Sequence, residues 1–254
     1  MISIIIATFN SSRTLAKALE SVLEQNFNDW ECIIVDGKST DSTLDIIKEF
    51  ELKDSRFSHV SEKDNGIYDA FNKGWKMAKG EWIYYLGSDD YLTGDGLKKL
   101  ASVESPEVGV ISGHCYVNEI DGTTKKVYSV GFGGCHQGKI TRKSVLEQFA
   151  GFNEKYPILA DADLMIRMEK SGVRILNVDS FIAYFASDGV SHRLSGLWGR
   201  GLEYYKIYKA NNFSFPRIRS WYYCFILFRS FVYRNLRNLF KNDNYENCFF
   251  NTCY

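Results

Sequence analysis

The chain opens on a short run dominated by β-branched apolar residues, Ile2-Ser3-Ile4-Ile5-Ile6. Such a run, with no polar alternation, is what a strand covered on both faces of a parallel sheet requires. A helical pattern follows. Leu15, Leu19, Val22 and Leu23 recur at the spacing that lays one apolar stripe on a sheet, and Ser11 or Ser12 can cap the helix. The plan then repeats: Trp30 to Val35 reads as a second strand, Asp36-Gly37-Lys38-Ser39-Thr40 as a tight loop, and Asp41 as the cap of a helix carrying Leu44, Ile47 and Phe50. Strand, helix, strand, helix predicts a doubly wound, mostly parallel α/β sheet.

Further along, Phe57 to Val60 reads as a short strand, and Ile67, Ala70, Phe71 and Ala78 mark a third helix. Trp82 to Leu86 is the next buried strand, and it runs into Gly87-Ser88-Asp89-Asp90. After a helix near residues 94 to 103 the pattern changes to shorter pieces, Val108 to Ser112, Cys115 to Asn118 and Lys125 to Val130, expected to form a small antiparallel sheet. Helices are expected near Thr141 to Phe149 and from Asp161, with strands at Val173 to Asp179 and Phe181 to Phe185 and helices thereafter. With 254 residues, 45% hydrophobic, and neither an internal repeat nor a Pro-rich linker, the chain reads as one large domain over 1–210 with a helical extension over 211–254.

The 31 basic residues balance the 31 acidic ones, so no global field recruits nucleic acid, and charge-based function must be local. Cys32, Cys115, Cys135, Cys224, Cys248 and Cys253 show neither paired nor metal-ligand spacing. Together with a start that lacks the basic flank and cleavage site of a secretory signal, they point to a cytoplasmic protein.

Two carboxylates, Asp89 and Asp90, fall at the carboxyl end of a central strand, where open α/β sheets place their ligands. Neighbouring strand residues face opposite ways, so the two are expected to divide labour, one hydrogen-bonding a ribose and the other holding a hard divalent cation. The turn after the first strand, Ala7-Thr8-Phe9-Asn10-Ser11-Ser12, lacks the glycines of a dinucleotide site.

In order along the chain, Ala7-Thr8-Phe9-Asn10, Val35-Asp36-Gly37-Lys38-Ser39-Thr40-Asp41, Asp64-Asn65-Gly66 with Asn72-Lys73-Gly74, and Ser88-Asp89-Asp90 resemble the motifs of family-two glycosyltransferases of the GT-A fold. The resemblance implies that Asp36 hydrogen-bonds the nucleotide base, that Asp64 sits near base or ribose, and that Asp90 ligates Mg²⁺ or Mn²⁺. Thr8, Phe9, Asn10, Asn72, Ser88 and Asp89 would complete the nucleotide pocket. Ser88 stands where the family's Asp-x-Asp motif begins. Gly151-Phe152-Asn153-Glu154 and Ala160-Asp161-Ala162-Asp163-Leu164 with Arg167 are similar to the segment bearing the family's catalytic base, which would be Asp161. Helix spacing pairs Asp163 with Arg167 and leaves Asp161 to point elsewhere. A single base and no carboxylate nucleophile implies direct displacement with inversion, the donor being a nucleoside diphosphate sugar with uridine as the default. A non-catalytic scaffold that binds nucleotide sugar is the alternative that Ser88 and Ala160 keep open.

His136 and Gln137, beside Gly133-Gly134-Cys135, are candidates for an acceptor or donor-sugar pocket, as is Asp163. His192 is a candidate metal ligand, and Arg200, within Gly196 to Gly201, a candidate phosphate contact on a hinged flap. Residues 217–241 carry six basic side chains interleaved with aromatic ones and no acid. Such a segment suits a membrane surface and hence a polyprenyl-diphosphate-linked glycan acceptor, a dimer contact being the alternative.

Overall fold

The computed structural model describes residues 1–102, 105–187 and 194–211. Residues 217–241 and His192 lie outside the described residues. Strand β1 (Ile2–Thr8) is buried along its whole length, as the apolar run requires. Its side chains alternate. Ile2, Ile4 and Ile6 join Leu15, Leu19 and Val22 of α1 (Leu15–Leu23) and Ile47 and Phe50 of α2 (Thr43–Lys53) in one core, while Ile5 meets α3 (Ile67–Met77) on the other face. A Cβ at Gly74 would overlap the Ile5 side chain, so glycine lets α3 lie close against the sheet. Each buried isoleucine contributes about 1.5–3 kcal/mol.

Neither expected serine caps α1. The helix starts one turn later, after Thr14, and the Ser11 hydroxyl is engaged with Ser88 (2.9 Å) instead. Asp41 holds the start of α2 from one residue before the cap position, accepting from the Thr43 N–H (3.1 Å) and hydroxyl (2.5 Å).

The described strands form one sheet in the order β3-β2-β1-β4-β8-β6-β9-β5, with β7 paired to β6. Its first half is parallel: β1 lies between β2 (Trp30–Asp36) and β4 (Trp82–Gly87), and β3 (Phe57–Ser61) flanks β2. The register sets Thr8 opposite Asp36, Ala7 opposite Gly87 and Asp36 opposite Ser61. The carboxyl ends of four strands therefore share one edge.

After β4 come β5 (Tyr91–Leu92), α4 (Gly96–Ala101), β6 (Val108–Asn118), β7 (Thr124–Val127), β8 (Lys139–Arg142), α5 (Lys143–Phe149), α6 (Ala160–Lys170) and β9 (Arg174–Ala186). The expected separate antiparallel sheet is instead continuous with the parallel one, because β8 pairs antiparallel with both β4 and β6. The paired short strands expected on either side of Gly113 and Ser180 are single long strands, β6 and β9, running parallel with register shifts around His114. Gly113 marks an irregularity rather than an end: a Cβ there would lie 2.5 Å from Ile182 Cγ1 and 2.8 Å from the Ser180 carbonyl.

Residues 1–190 form one compact unit, and a second begins at Ser191. In the latter, Gly196 to Gly201 are not a flap but part of helix α7 (Leu194–Ala210). Each of its three glycines costs the helix about 1 kcal/mol relative to alanine. Among the described residues no helix is long and apolar enough to cross a membrane.

Candidate active site

The site is assembled on the edge where β1, β2, β3 and β4 end. Asp36, the last residue of β2, is buried and accepts three hydrogen bonds across its two oxygens, one fewer than a carboxylate can take: Ser39 donates through its hydroxyl (2.5 Å) and backbone N–H, and the Ser61 hydroxyl donates at 2.6 Å. Asn10, at φ 50°, links the first loop to the second, its N–H reaching the Ser39 hydroxyl and its side-chain oxygen accepting from Thr40 N–H, both at 2.8 Å. Asp64 arrives from the loop after β3 and lies against Gly37, where a Cβ would sit 2.6 Å from its Oδ2. Phe9 is exposed at the tip of β1, and the Thr8 hydroxyl is buried without a hydrogen-bond partner among the described residues. A buried hydroxyl left unpaired costs about 1–3 kcal/mol, a deficit that a bound polar ligand removes.

Asp89 and Asp90 sit in a turn closed by the Asp90 N–H donating to the Gly87 carbonyl (3.2 Å). The strand alternation expected of them therefore does not apply. Both carboxylates lean over Gly87, where a Cβ would lie 2.5 Å from Asp90 Oδ2 and 2.9 Å from Asp89 Oδ1. Asp90 is buried and Asp89 exposed. Asp90 Oδ1 accepts from the Ala186 N–H and Oδ2 from the Gln137 side-chain amide, each at 2.9 Å. Burial, and then the neighbouring Asp89, push the Asp90 carboxyl up to about 7 despite those hydrogen bonds. A crowded carboxylate pair of hard oxygens is suited to a divalent cation that keeps several water or phosphate ligands of its own. Clusters of three or more metal-ligating side chains are absent among the described residues.

Gln137 belongs to a short 3₁₀ turn, His136–Gly138. His136 is half-buried, stacked on Tyr85 (centroids 5.5 Å apart) and edge-on to Phe152 (6.0 Å). Burial makes its imidazole harder to protonate than usual, and the negative charge of Asp161 partly offsets this. Lys139, also buried, donates to the carbonyls of Gly133 (2.9 Å) and Cys135 (3.0 Å), and burial lowers its proton affinity. One turn thus touches Asp90 through Gln137 and carries, in His136, an imidazole that feels the charge of Asp161.

Asp161 lies in the first turn of α6, whose cap is Leu159, so it is not a capping residue. Nor is it without a partner, since the Tyr68 hydroxyl donates to its Oδ1 at 2.9 Å. Asp163 pairs with Arg167 (2.8 Å) as helix spacing predicts, and Arg167 spends its other nitrogens on the carbonyls of Phe149 and Gly151. Asp163 is therefore a buried brace between α5 and α6 rather than a pocket residue. Asn72 is likewise reassigned. Its amide donates to Phe152 O and Glu154 Oε1 and accepts from Phe152 N–H and Trp75 Nε1, which uses its full hydrogen-bonding capacity and leaves none for a nucleotide. Arg200 lies on α7, in the second unit. Ser61, Tyr68 and Lys139 were not legible as site residues. Ser61 follows from the strand register once known; the other two carry no local signal.

Comparison with known proteins identifies the family and the fold. Residues 3–170 match the family described as Glycosyl transferase family 2. A PGL/p-HBAD biosynthesis glycosyltransferase of Mycobacterium bovis is 33% identical over 177 residues, covering 66% of this chain and 69% of that protein. Among solved structures, S. aureus TarS 1-349 in complex with UDP-GlcNAc superposes with a TM-score of 0.68 at 20% identity, over 86% of this chain and 69% of that one. The mannosyltransferase PcManGT from Pyrobaculum calidifontis, in complex with GDP-Man and Mn²⁺, gives 0.64 at 17% identity over 88% and 69%. The chain belongs to glycosyl transferase family 2 and is a glycosyltransferase with the GT-A fold.

Proposed function

We propose that this glycosyltransferase moves a hexose or N-acetylhexosamine from a nucleoside diphosphate sugar, UDP-linked by default, to a hydroxyl of a lipid-linked glycan, by direct displacement with inversion. The observation that carries the reading is the turn 136–138, which contacts Asp90 through Gln137 and feels the charge of Asp161 through His136. A diphosphate end and a proton-accepting end would then meet at one turn. Asp36, Asp64 and the Thr8 hydroxyl hold the nucleoside, and Phe9 offers it an apolar face.

Asp89 and Asp90 would hold Mg²⁺ or Mn²⁺, which when bound stabilises negative charge on the departing diphosphate. Asp161 takes the proton of the acceptor hydroxyl as that oxygen forms its bond to the anomeric carbon. The bond from that carbon to the diphosphate oxygen breaks, and its electron pair leaves with the nucleoside diphosphate. General-base assistance of this kind contributes roughly 10²–10⁴ in rate. His136, kept neutral by burial, can hydrogen-bond a sugar hydroxyl without repelling the cation. Support for the donor class comes from the UDP-GlcNAc and GDP-Man complexes of the two similar structures.

The test is a panel of nucleotide sugars with and without Mn²⁺, read by thermal stabilisation and then by diphosphate release. A sugar that stabilises the chain only with the cation, and a product of inverted anomeric configuration by NMR, are the expected results. A product of retained configuration overturns the mechanism.

A further inference from the structure

Tyr68 follows directly on Asp64-Asn65-Gly66-Ile67 and stands in the first turn of α3. Its ring packs against Phe152 (centroids 5.2 Å apart) and edge-on to Phe71 (6.4 Å), so the side chain is held by apolar contacts on more than one side. From there its hydroxyl reaches 93 positions along the sequence to donate to Asp161 Oδ1 (2.9 Å), sharing its proton with the Ile158 carbonyl (3.0 Å) that precedes α6. The charge of Asp161 is felt by His136, from the turn, and by Lys139, from β8.

A base on the first turn of a helix can rotate about its side-chain bonds, and each wrong rotamer removes it from the reacting oxygen. A hydrogen bond to one carboxylate oxygen fixes that rotation and leaves the second oxygen to accept a proton. Hydrogen bonds to a charged group are among the stronger ones in proteins. We infer that Tyr68 is a positioning residue for Asp161: it orients the carboxylate through Oδ1 so that Oδ2 receives the acceptor proton. The same short segment would then serve both ends of the site, Asp64 at the nucleoside and Tyr68 at the base. This inference rests on the reading of Asp161 as base.

The test uses the full chain with Mn²⁺ and a panel of UDP- and GDP-sugars, water serving as acceptor, and follows release of the nucleoside diphosphate. Tyr68→Phe keeps the ring and its packing and deletes only the hydroxyl. It should lower kcat by about ten- to a hundredfold, with the donor KM and the thermal midpoint unchanged. Asp161→Asn should lower kcat further, and Tyr68→Phe added to it should cost nothing more, since Tyr68 acts through Asp161. Full activity of Tyr68→Phe beside an inactive Asp161→Asn overturns the inference and leaves the base in place. Additive losses in the double variant also overturn it. Full activity of Asp161→Asn, or a wild-type chain that releases diphosphate from no sugar in the panel, overturns the reading of the base and the inference with it.

Discussion

The two carboxylates most deeply buried in the site, Asp36 and Asp90, are held in opposite ways. Asp36 is satisfied by its own loop and the next strand: Ser39 lies three positions away and Ser61 twenty-five. Asp90 is held from a distance, by Gln137 and Ala186, 47 and 96 positions along the chain. The same contrast separates Asn10, tied to Ser39 and Thr40, from Asp161, tied to Tyr68. The proposed nucleoside end is built within the parallel half, by loops that short βα units bring together. The proposed chemical end exists only once β8, β9 and α6 have docked. That end also carries the electrostatic cost: burial raises the Asp90 carboxyl, and lowers the proton affinity of His136 and Lys139. Carboxylates surrounded by donors are cheap to bury, whereas a second carboxylate alongside makes the first harder to ionise.

The sharpest way to break this contrast is to remove the charge of Asp90. Its folded-state value, about 7, lies above the ordinary 3.8, so the fold favours the protonated form. The stability this contributes is fully present below the ordinary value and is lost as pH rises through about 7. In metal-free buffer, denaturant titrations should show Asp90→Asn gaining on wild type between pH 4 and pH 8, by up to about 4 kcal/mol. A pH-independent difference would mean that Asp90 carries no such burden. Next in size is Gly74→Ala, which forces α3 away from Ile5 and should lower stability by about 1–3 kcal/mol in urea unfolding. It should also weaken nucleotide-sugar binding, because the Asp64 loop enters that helix. The smallest effect is expected at Ser39→Ala. Asp36 keeps the Ser61 hydroxyl and the Ser39 N–H, so about 1 kcal/mol should be lost, with a few-fold fall in donor affinity by calorimetry. A loss at Ser39 as large as that at Asp90 would erase the distinction between the two ends.

The difference in sequence separation also explains what could be read in advance. The buried β1 run, the stripe of α1 and the loop beginning at Asp36 are local patterns, and they appear in the structure nearly where periodicity puts them. Asp163 and Arg167 pair as their spacing requires. Misreadings gather where the deciding contact is distant. Asn72 resembles a nucleotide ligand in sequence yet is consumed by Phe152 and Glu154, some eighty positions away. Ser11 resembles a helix cap and instead meets Ser88. Strand alternation sends Asp89 and Asp90 to opposite faces, but it does not reach past the end of β4: the Gly87–Asp90 hydrogen bond closes a turn there and makes the two converge.

From its sequence alone this protein is committed to a doubly wound sheet, with candidate nucleoside ligands on the loops after the first strands, because apolar periodicity and turn residues act over a few positions. Only tertiary packing decided that Gln137 would grip Asp90 and Tyr68 would meet Asp161. Those pairings depend on how a mixed sheet closes beside β4, and closure is set by burial summed over the whole chain rather than by any local pattern.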